Sequence, residues 1–224
     1  MRIYGLNKFS LLDYPGKVSA IIFLSGCNMN CSYCYNSDLI TSKDENYSAD
    51  EVLDFLENRK EKLDGVVITG GEPTIHKDLI DFIKKIKKIG FLVKLDTNGT
   101  NPDMLKELLD NKLIDYIAMD IKNSLNKYFS VINTNLDINN IIESVKLIKD
   151  SNIDHEFRTT VYNIHEESDL VDIAKLVSPS KYFLQEFMKN DKVINKFIFS
   201  KSIEELEKYV ITCNNYTPTN LRKK

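Results

Sequence analysis

Six short apolar runs, each followed by a longer stretch, leave this chain few folds to choose from. The runs are Lys17–Leu24, Gly65–Thr69, Phe91–Asp96, Tyr116–Ile121, His155–Val161 and Tyr182–Phe187. Several are β-branched and nearly continuous in apolar character, as strands buried on both faces of a parallel sheet are. The stretches between and after them predict helices over Ala49–Lys60, Lys77–Ile89, Pro102–Asn111, Asn139–Lys149, Glu166–Leu176 and Ser202–Tyr209. In the second of these, Ile80, Ile83 and Ile86 keep a helical spacing with lysines on the other side, which gives it a core face. Asn101 before Pro102 and Asp103 reads as a capped helix start, and Gly90 as a helix stop. Strand–helix units in series build a parallel sheet with helices outside it. Six units fall short of the eight that close a barrel, so the fold class predicted is α/β, a partial (β/α)6 barrel open along one side. The segment Asn123–Asn140 is the least patterned and predicts a loop with a short helix. No linker, repeat or low-complexity tract divides the chain. It reads as one domain over residues 1–224, with a core at about 15–187 and a C-terminal helical extension at about 188–224.

Charge removes two classes of partner. With 30 basic and 33 acidic residues the net charge is −3, which provides no global field for nucleic acid or an anionic membrane. No uncharged apolar run is long enough to cross a bilayer, and the residues from Met1 to Lys8 lack the apolar stretch of a signal peptide. A cytoplasmic protein is expected. There, four cysteines do not read as disulfides, the less so because Cys27, Cys31 and Cys34 crowd together.

That triplet, C-x3-C-x2-C, follows the first predicted strand directly. On a barrel-like sheet the loops after the strands form the ligand-binding face. Three thiolates bind soft centres, either an iron–sulfur cluster or zinc. A closed zinc site needs a fourth ligand, but Cys213 is distant in sequence and no histidine follows Cys34 closely. Three ligands and one open position suit a [4Fe–4S] cluster. A zinc-binding, non-catalytic module is the alternative of a different class.

Four other segments carry candidate binding residues. Gly70-Gly71-Glu72-Pro73 follows the second strand, and paired glycines let a backbone approach a ligand closely, although a plain turn has the same composition. Asp96-Thr97-Asn98-Gly99 ends the third strand, where a polar turn is equally at home. Strand alternation puts Asp120 and Lys122 on one face, with Met119 and Ile121 on the other, and a surface ion pair also fits. Arg158 stands inside an apolar strand, where a buried cation needs an anionic partner.

Jointly these residues resemble the radical S-adenosylmethionine superfamily: the cysteine triplet with an aromatic, Tyr33, just before its last member, and Gly70-Gly71-Glu72 as the GGE motif. Within it they resemble activating enzymes of glycyl radical enzymes, which carry S-x-x-D-x-P-G, D-T-N-G and D-x-K segments. Here those are Ser10–Gly16, Asp96–Gly99 and Asp120–Lys122. The segments Tyr4–Gly16, Phe157–Val161 and Tyr182–Phe187 look closest to anaerobic ribonucleoside-triphosphate reductase activating proteins. The resemblance covers roughly Met1 to Phe187.

The resemblance implies a [4Fe–4S] cluster on Cys27, Cys31 and Cys34 whose open iron chelates S-adenosylmethionine and cleaves it reductively, followed by hydrogen abstraction from a glycine of a partner enzyme. Tyr33 is implied near the adenine, Gly71, Glu72, Asp96 and Thr97 at the amino-acid end, and Gly70 and Asn98 among the cofactor-binding residues. Lys122 and Arg158 are implied to neutralise carboxylate charge. In some pyruvate formate-lyase activating enzymes the carboxylates matching Asp96 and Asp120 hold a monovalent cation. An anaerobic ribonucleotide reductase is the implied partner, and a flavodoxin or ferredoxin the electron donor. A pyruvate formate-lyase-like partner or a small-molecule substrate is the close rival. Two departures from the family pattern are Tyr14, where glycine is usual, and Tyr35, where histidine is frequent.

Overall fold

The structure, a computed structural model, describes residues 1–193 and 195–223; Ile194 and Lys224 lie outside the described residues. Among the described residues eight strands form one sheet in sequence order: β1 (Ile3–Ser10), β2 (Ser19–Leu24), β3 (Gly65–Gly70), β4 (Leu92–Thr97), β5 (Tyr116–Asp120), β6 (Asp154–Val161), β7 (Tyr182–Glu186) and β8 (Thr219–Arg222). Strands β2 to β8 pair in parallel, and β1 runs antiparallel to β2. Because β2 to β8 run parallel, their carboxyl ends all open on the same rim, and sequence order sets neighbouring loops side by side along it. β1 and β8 are the two edges of the sheet, which leaves the barrel incomplete, as expected.

The helices are α1 (Ser37–Thr41), α2 (Ala49–Glu57), α3 (Leu79–Ile89), α4 (Pro102–Asp110), α5 (Phe129–Ile132), α6 (Ile138–Asp150), α7 (Glu167–Val177) and α8 (Ile203–Cys213). Their ends are set locally. Ser48 accepts from Glu51 N while the Glu51 carboxylate accepts from Ser48 N, a reciprocal cap at the start of α2. Asn101 caps Met104 N at 3.2 Å, with Pro102 in the first turn of α4. Gly90 takes a φ of 112° to stop α3. The short helix expected within Asn123–Asn140 is α5.

Strands β2 to β7 are the six predicted, with ends within two residues. The two edge strands were not. β1 has three consecutive exposed residues, Asn7 to Phe9, and irregular register, and β8 is four mostly polar residues, so neither carries an apolar run. The segment after residue 187, expected to be helical, contains α8 and also the strand β8, which pairs with β7.

The two faces of the sheet differ. Ile22, Leu24, Val66, Ile68, Val93, Leu95, Ile117, Met119 and Phe157 join the main core with the helices. The opposite face carries a smaller apolar layer of Tyr14, Ile21, Val67, Tyr116 and Ala118. Beyond that layer, toward the carboxyl rim, the same face turns polar. No described helix is long and apolar enough to cross a membrane.

Candidate active site

A cleft of about 370 Å³ opens at the carboxyl rim of the strands. Every candidate residue named from the sequence lines it: Cys27, Cys31, Tyr33, Cys34, Gly70, Gly71, Glu72, Asp96, Thr97, Asn98, Asp120, Lys122 and Arg158. Cys213, by contrast, is buried in α8 and is not part of the lining.

The cysteine loop leaves β2 and is tied down on two sides. Gly26 N and Cys27 N donate to Leu39 O and Ile40 O of α1, while Asn30 N and Ser32 N donate to Ile132 O and Val131 O of α5. The turn closes with Cys34 N donating to Cys31 O at 3.1 Å. Burial pushes the Cys27 thiol up to about 12. It raises Cys31 as well, against the pull of the Lys122 ammonium. Cys27 and Cys31 therefore hold their protons near neutral pH, and metal loading must displace them. Among the described residues no three His, Cys, Asp or Glu side chains converge on a single-ion position. A polynuclear cluster has no such requirement, because each thiolate binds a different iron.

The Gly-Gly turn is shaped by the protein's own backbone. Glu72 N donates to Gly26 O and Gly71 N to Leu24 O, both at 2.8 Å. A Cβ on Gly71 would lie 1.9 Å from Gly26 O, and one on Gly70, at φ 118°, 2.4 Å from Leu24 O. The close approach expected toward a ligand is thus also an approach to the residue before Cys27.

Glu72 is buried, and its carboxylate is committed within the protein. Oε1 accepts from Thr74 N (3.0 Å), Thr74 Oγ1 (2.6 Å) and Thr97 Oγ1 (2.7 Å), and Oε2 accepts from Asn98 N at 2.7 Å. Burial raises its pKa and these donors oppose the rise. Asn98 Nδ2 in turn donates to Asn28 Oδ1 at 2.9 Å, and Asn28 Nδ2 to Thr100 Oγ1 at 2.7 Å. A polar seam therefore joins the Gly-Gly-Glu turn, the Asp-Thr-Asn-Gly turn and the cysteine loop.

Across β4, β5 and β6 runs a row of alternating charge. Lys94 Nζ donates to Asp96 Oδ1 at 2.5 Å, and Arg158 Nη1 to Asp96 Oδ2 at 3.3 Å. Arg158 Nε donates to Asp120 Oδ1 at 2.7 Å, and Lys122 Nζ to Asp120 Oδ2 at 3.1 Å. Burial alone would raise both carboxyls, but the adjacent Arg158, with Lys94 for Asp96 and Lys122 for Asp120, holds them below the usual carboxylate range. Lys122 Nζ also lies 5.8 Å from the centre of the Tyr33 ring, which packs on Tyr162 with centroids 5.1 Å apart.

Sequence reasoning missed several lining groups. Asp13, Thr69, Thr160 and Gln185 border the cleft. Lys94 pairs Asp96 from behind and was findable, since a residue two before Asp96 in a strand shares its face. Glu156 shares the face of Arg158 and is held by Arg222 of β8 through contacts of 2.8 and 3.1 Å and by Tyr116 Oη at 2.9 Å, a link that only the pairing of β8 reveals. Tyr35 accepts from Met188 N at 2.8 Å and stacks on Phe187, with centroids 5.6 Å apart, so its aromatic ring is taken up by the segment after β7.

Known proteins resemble this chain in sequence and in fold. The family model of the Radical SAM superfamily matches residues 21–177. MJ1227 of Methanocaldococcus jannaschii, provisionally named a glycyl-radical enzyme activating enzyme, is 40% identical over 205 residues, covering 87% of this chain and 83% of its own. The pyruvate formate-lyase-activating enzyme of Clostridium pasteurianum is 33% identical over 127 residues, covering 54% of this chain and 52% of its own. The crystal structure of Streptococcus suis SuiB bound to S-adenosylmethionine superposes with a TM-score of 0.70 at 14% identity, over 91% of this chain and 51% of that one, and so shares the fold. The chain belongs to the radical S-adenosylmethionine superfamily and, within it, to the glycyl-radical enzyme activating enzymes. It is accordingly an enzyme of a family whose members use a [4Fe–4S] cluster and S-adenosylmethionine.

Proposed function

We propose that this chain generates a glycyl radical on a partner enzyme, with the cluster on Cys27, Cys31 and Cys34 and S-adenosylmethionine in the adjoining cleft. The observation that carries this reading is convergence: residues from the ends of β2, β3, β4, β5 and β6 line one cleft with three thiols at its side. When bound, cluster and S-adenosylmethionine supply the one-electron chemistry for hydrogen abstraction from a glycine Cα, which offers no acidic proton to a base.

The chain's own residues do the positioning. Lys122 and Arg158 present positive charge toward the cleft, suited to the cofactor's carboxylate. Gly70 and Gly71 leave backbone at the amino-acid end, and Asp96, Thr97 and Asn98 stand beside it. Glu72 acts by holding Thr97 and Asn98 in place. The buried Tyr33 ring forms a wall suited to the adenine. The monovalent cation suggested beside Asp96 and Asp120 meets carboxylates that are already paired.

An anaerobic ribonucleoside-triphosphate reductase is the favoured partner, on the segments Tyr4–Gly16, Phe157–Val161 and Tyr182–Phe187. The Clostridium pasteurianum relative supports a pyruvate formate-lyase-like partner instead. We take the electron donor to be a flavodoxin or ferredoxin and the site of action to be the cytoplasm. Residues 1–224 read as one domain, since β8 completes the sheet that β1 begins.

The test mixes reduced enzyme, S-adenosylmethionine and each candidate partner, and looks for a glycyl radical doublet by electron paramagnetic resonance. Deuterium on the partner's glycine should appear in 5′-deoxyadenosine. A radical on the pyruvate formate-lyase-like enzyme alone reassigns the partner. Label arriving only from a small metabolite overturns the activating role, and a colourless zinc protein without sulfide overturns the radical chemistry.

A further inference from the structure

We infer that Arg158 is a built-in counter-ion for Asp96 and Asp120, so that S-adenosylmethionine binding in this protein requires no sodium or potassium ion. The inference rests on the reading of the cleft as the cofactor pocket. All four oxygens of the two carboxylates accept from cationic side chains: Asp96 from Lys94 and Arg158, and Asp120 from Arg158 and Lys122. Thr69 Oγ1 adds a longer contact of 3.4 Å to Asp96 Oδ2.

A small cation binds oxygen ligands that are free to turn toward it. Here each oxygen is committed, and three cations beside two carboxylates leave one positive charge in excess, which repels a further cation. The guanidinium is permanently charged, and its fork spans two carboxylates where a lysine ammonium acts as a point charge. Register makes this possible. Asp120 on β5 and Arg158 on β6 are direct pairing partners, and Asp96 lies on β4, the other neighbour of β5. The excess charge faces the right way, because Arg158 and Lys122 line the cleft while Lys94 is buried behind it. A cofactor carboxylate entering there meets a cation held by the chain itself.

The experiment titrates S-adenosylmethionine into the reduced, cluster-loaded enzyme and follows the change in the cluster's paramagnetic resonance spectrum, a readout independent of turnover. One series is run in choline chloride free of sodium and potassium, the other in potassium or sodium chloride at equal ionic strength. The midpoint is expected to agree within about twofold, while R158Q is expected to bind about tenfold more weakly in choline and to recover part of that loss with potassium, a change of ~1.4 kcal/mol. A native enzyme that responds to the cofactor only when sodium or potassium is present overturns the inference and leaves the cofactor pocket intact. A loaded cluster that fails to respond in either salt overturns the pocket reading and the inference together. The native comparison decides the matter even where R158Q does not fold.

Discussion

The carboxylate of Glu72, in the turn after β3, accepts the backbone N–H of Asn98, just after β4, at 2.7 Å. With Thr74 and Thr97 on its other oxygen, this acid works as a buckle between two loops of the cleft. In Glu72→Gln one acceptor oxygen becomes an amide donor, which sets a donor against a buried N–H. The expected loss is ~1–3 kcal/mol of folding stability, the cost of a buried group left unsatisfied. Urea unfolding followed by circular dichroism measures it. An unchanged midpoint, with weaker S-adenosylmethionine binding, would mean that the carboxylate serves the cofactor rather than the loop.

Gly71 makes the neighbouring test. A Cβ there collides with Gly26 O, one residue before Cys27, so Gly71→Ala must push the cysteine loop away from the turn. Overpacking of this kind costs ~1–3 kcal/mol. Because the strain falls on the cysteine loop, anaerobic reconstitution should yield less than about half the parent's iron and sulfide. A variant with full iron content and lost cofactor binding would return Gly71 to a purely ligand-facing role.

These two residues also mark how far the sequence is legible. The cysteine spacing and the Gly-Gly-Glu, Asp-Thr-Asn-Gly and Asp-x-Lys segments announce themselves because each sits at the end of an apolar run, and the parallel sheet then brings those ends together. Which of them touch one another is a matter of register and loop path, which periodicity does not encode. The buckle role of Glu72 depends on Thr97 and Asn98, 25 and 26 residues away. The Arg158 partners depend on β5 lying between β4 and β6. Edge strands β1 and β8 escaped because an edge needs no continuous apolar run to be held by one neighbour.

Arg222 on β8 is the clearest consequence of that omission. It makes paired contacts to Glu156, whose side chain is only 2% exposed, while the arginine itself is 35% exposed. Arg222→Met leaves Glu156 the Tyr116 hydroxyl as its side-chain hydrogen-bond donor, with Arg158 acting on it only through charge. Allowing for the half-open arginine, the expected destabilisation is ~1–3 kcal/mol. Burial alone would raise the Glu156 pKa, but Arg222, with smaller help from Arg158 and Tyr116, holds it below the usual value. Its contribution is therefore present above the unfolded carboxylate value of about 4.3 and lost as pH falls through the lower folded value. The difference between parent and variant should shrink correspondingly in acid. A difference independent of pH would assign the loss to packing of Arg222 on the Phe183 ring, 4.1 Å away.

His165 gives the opposite kind of handle, a base that must stay neutral. Its Nδ1 accepts from Tyr162 N at 3.3 Å, which leaves Nε2–H to donate to Lys122 O at 3.0 Å. Burial disfavours the charge and holds the pKa below the ordinary value for histidine, and a proton on Nδ1 would face the Tyr162 N–H. The unfolded chain then binds the proton more readily than the folded one. The stabilising contribution is complete above the unfolded value of about 6.5 and is lost as pH falls toward the folded value, at up to ~1.4 kcal/mol per pH unit. His165→Asn should flatten the acid limb of the stability curve by about one proton, as read from urea midpoints between neutral and mildly acid pH. His76, also buried and shifted downward, adds a slope of the same sign. Protonation at Nδ1 keeps the Nε2–H donor on Lys122 O, so its cost falls on the Tyr162 N–H contact and is read in stability. Equal acid sensitivity in both would show that His165 does not carry the effect.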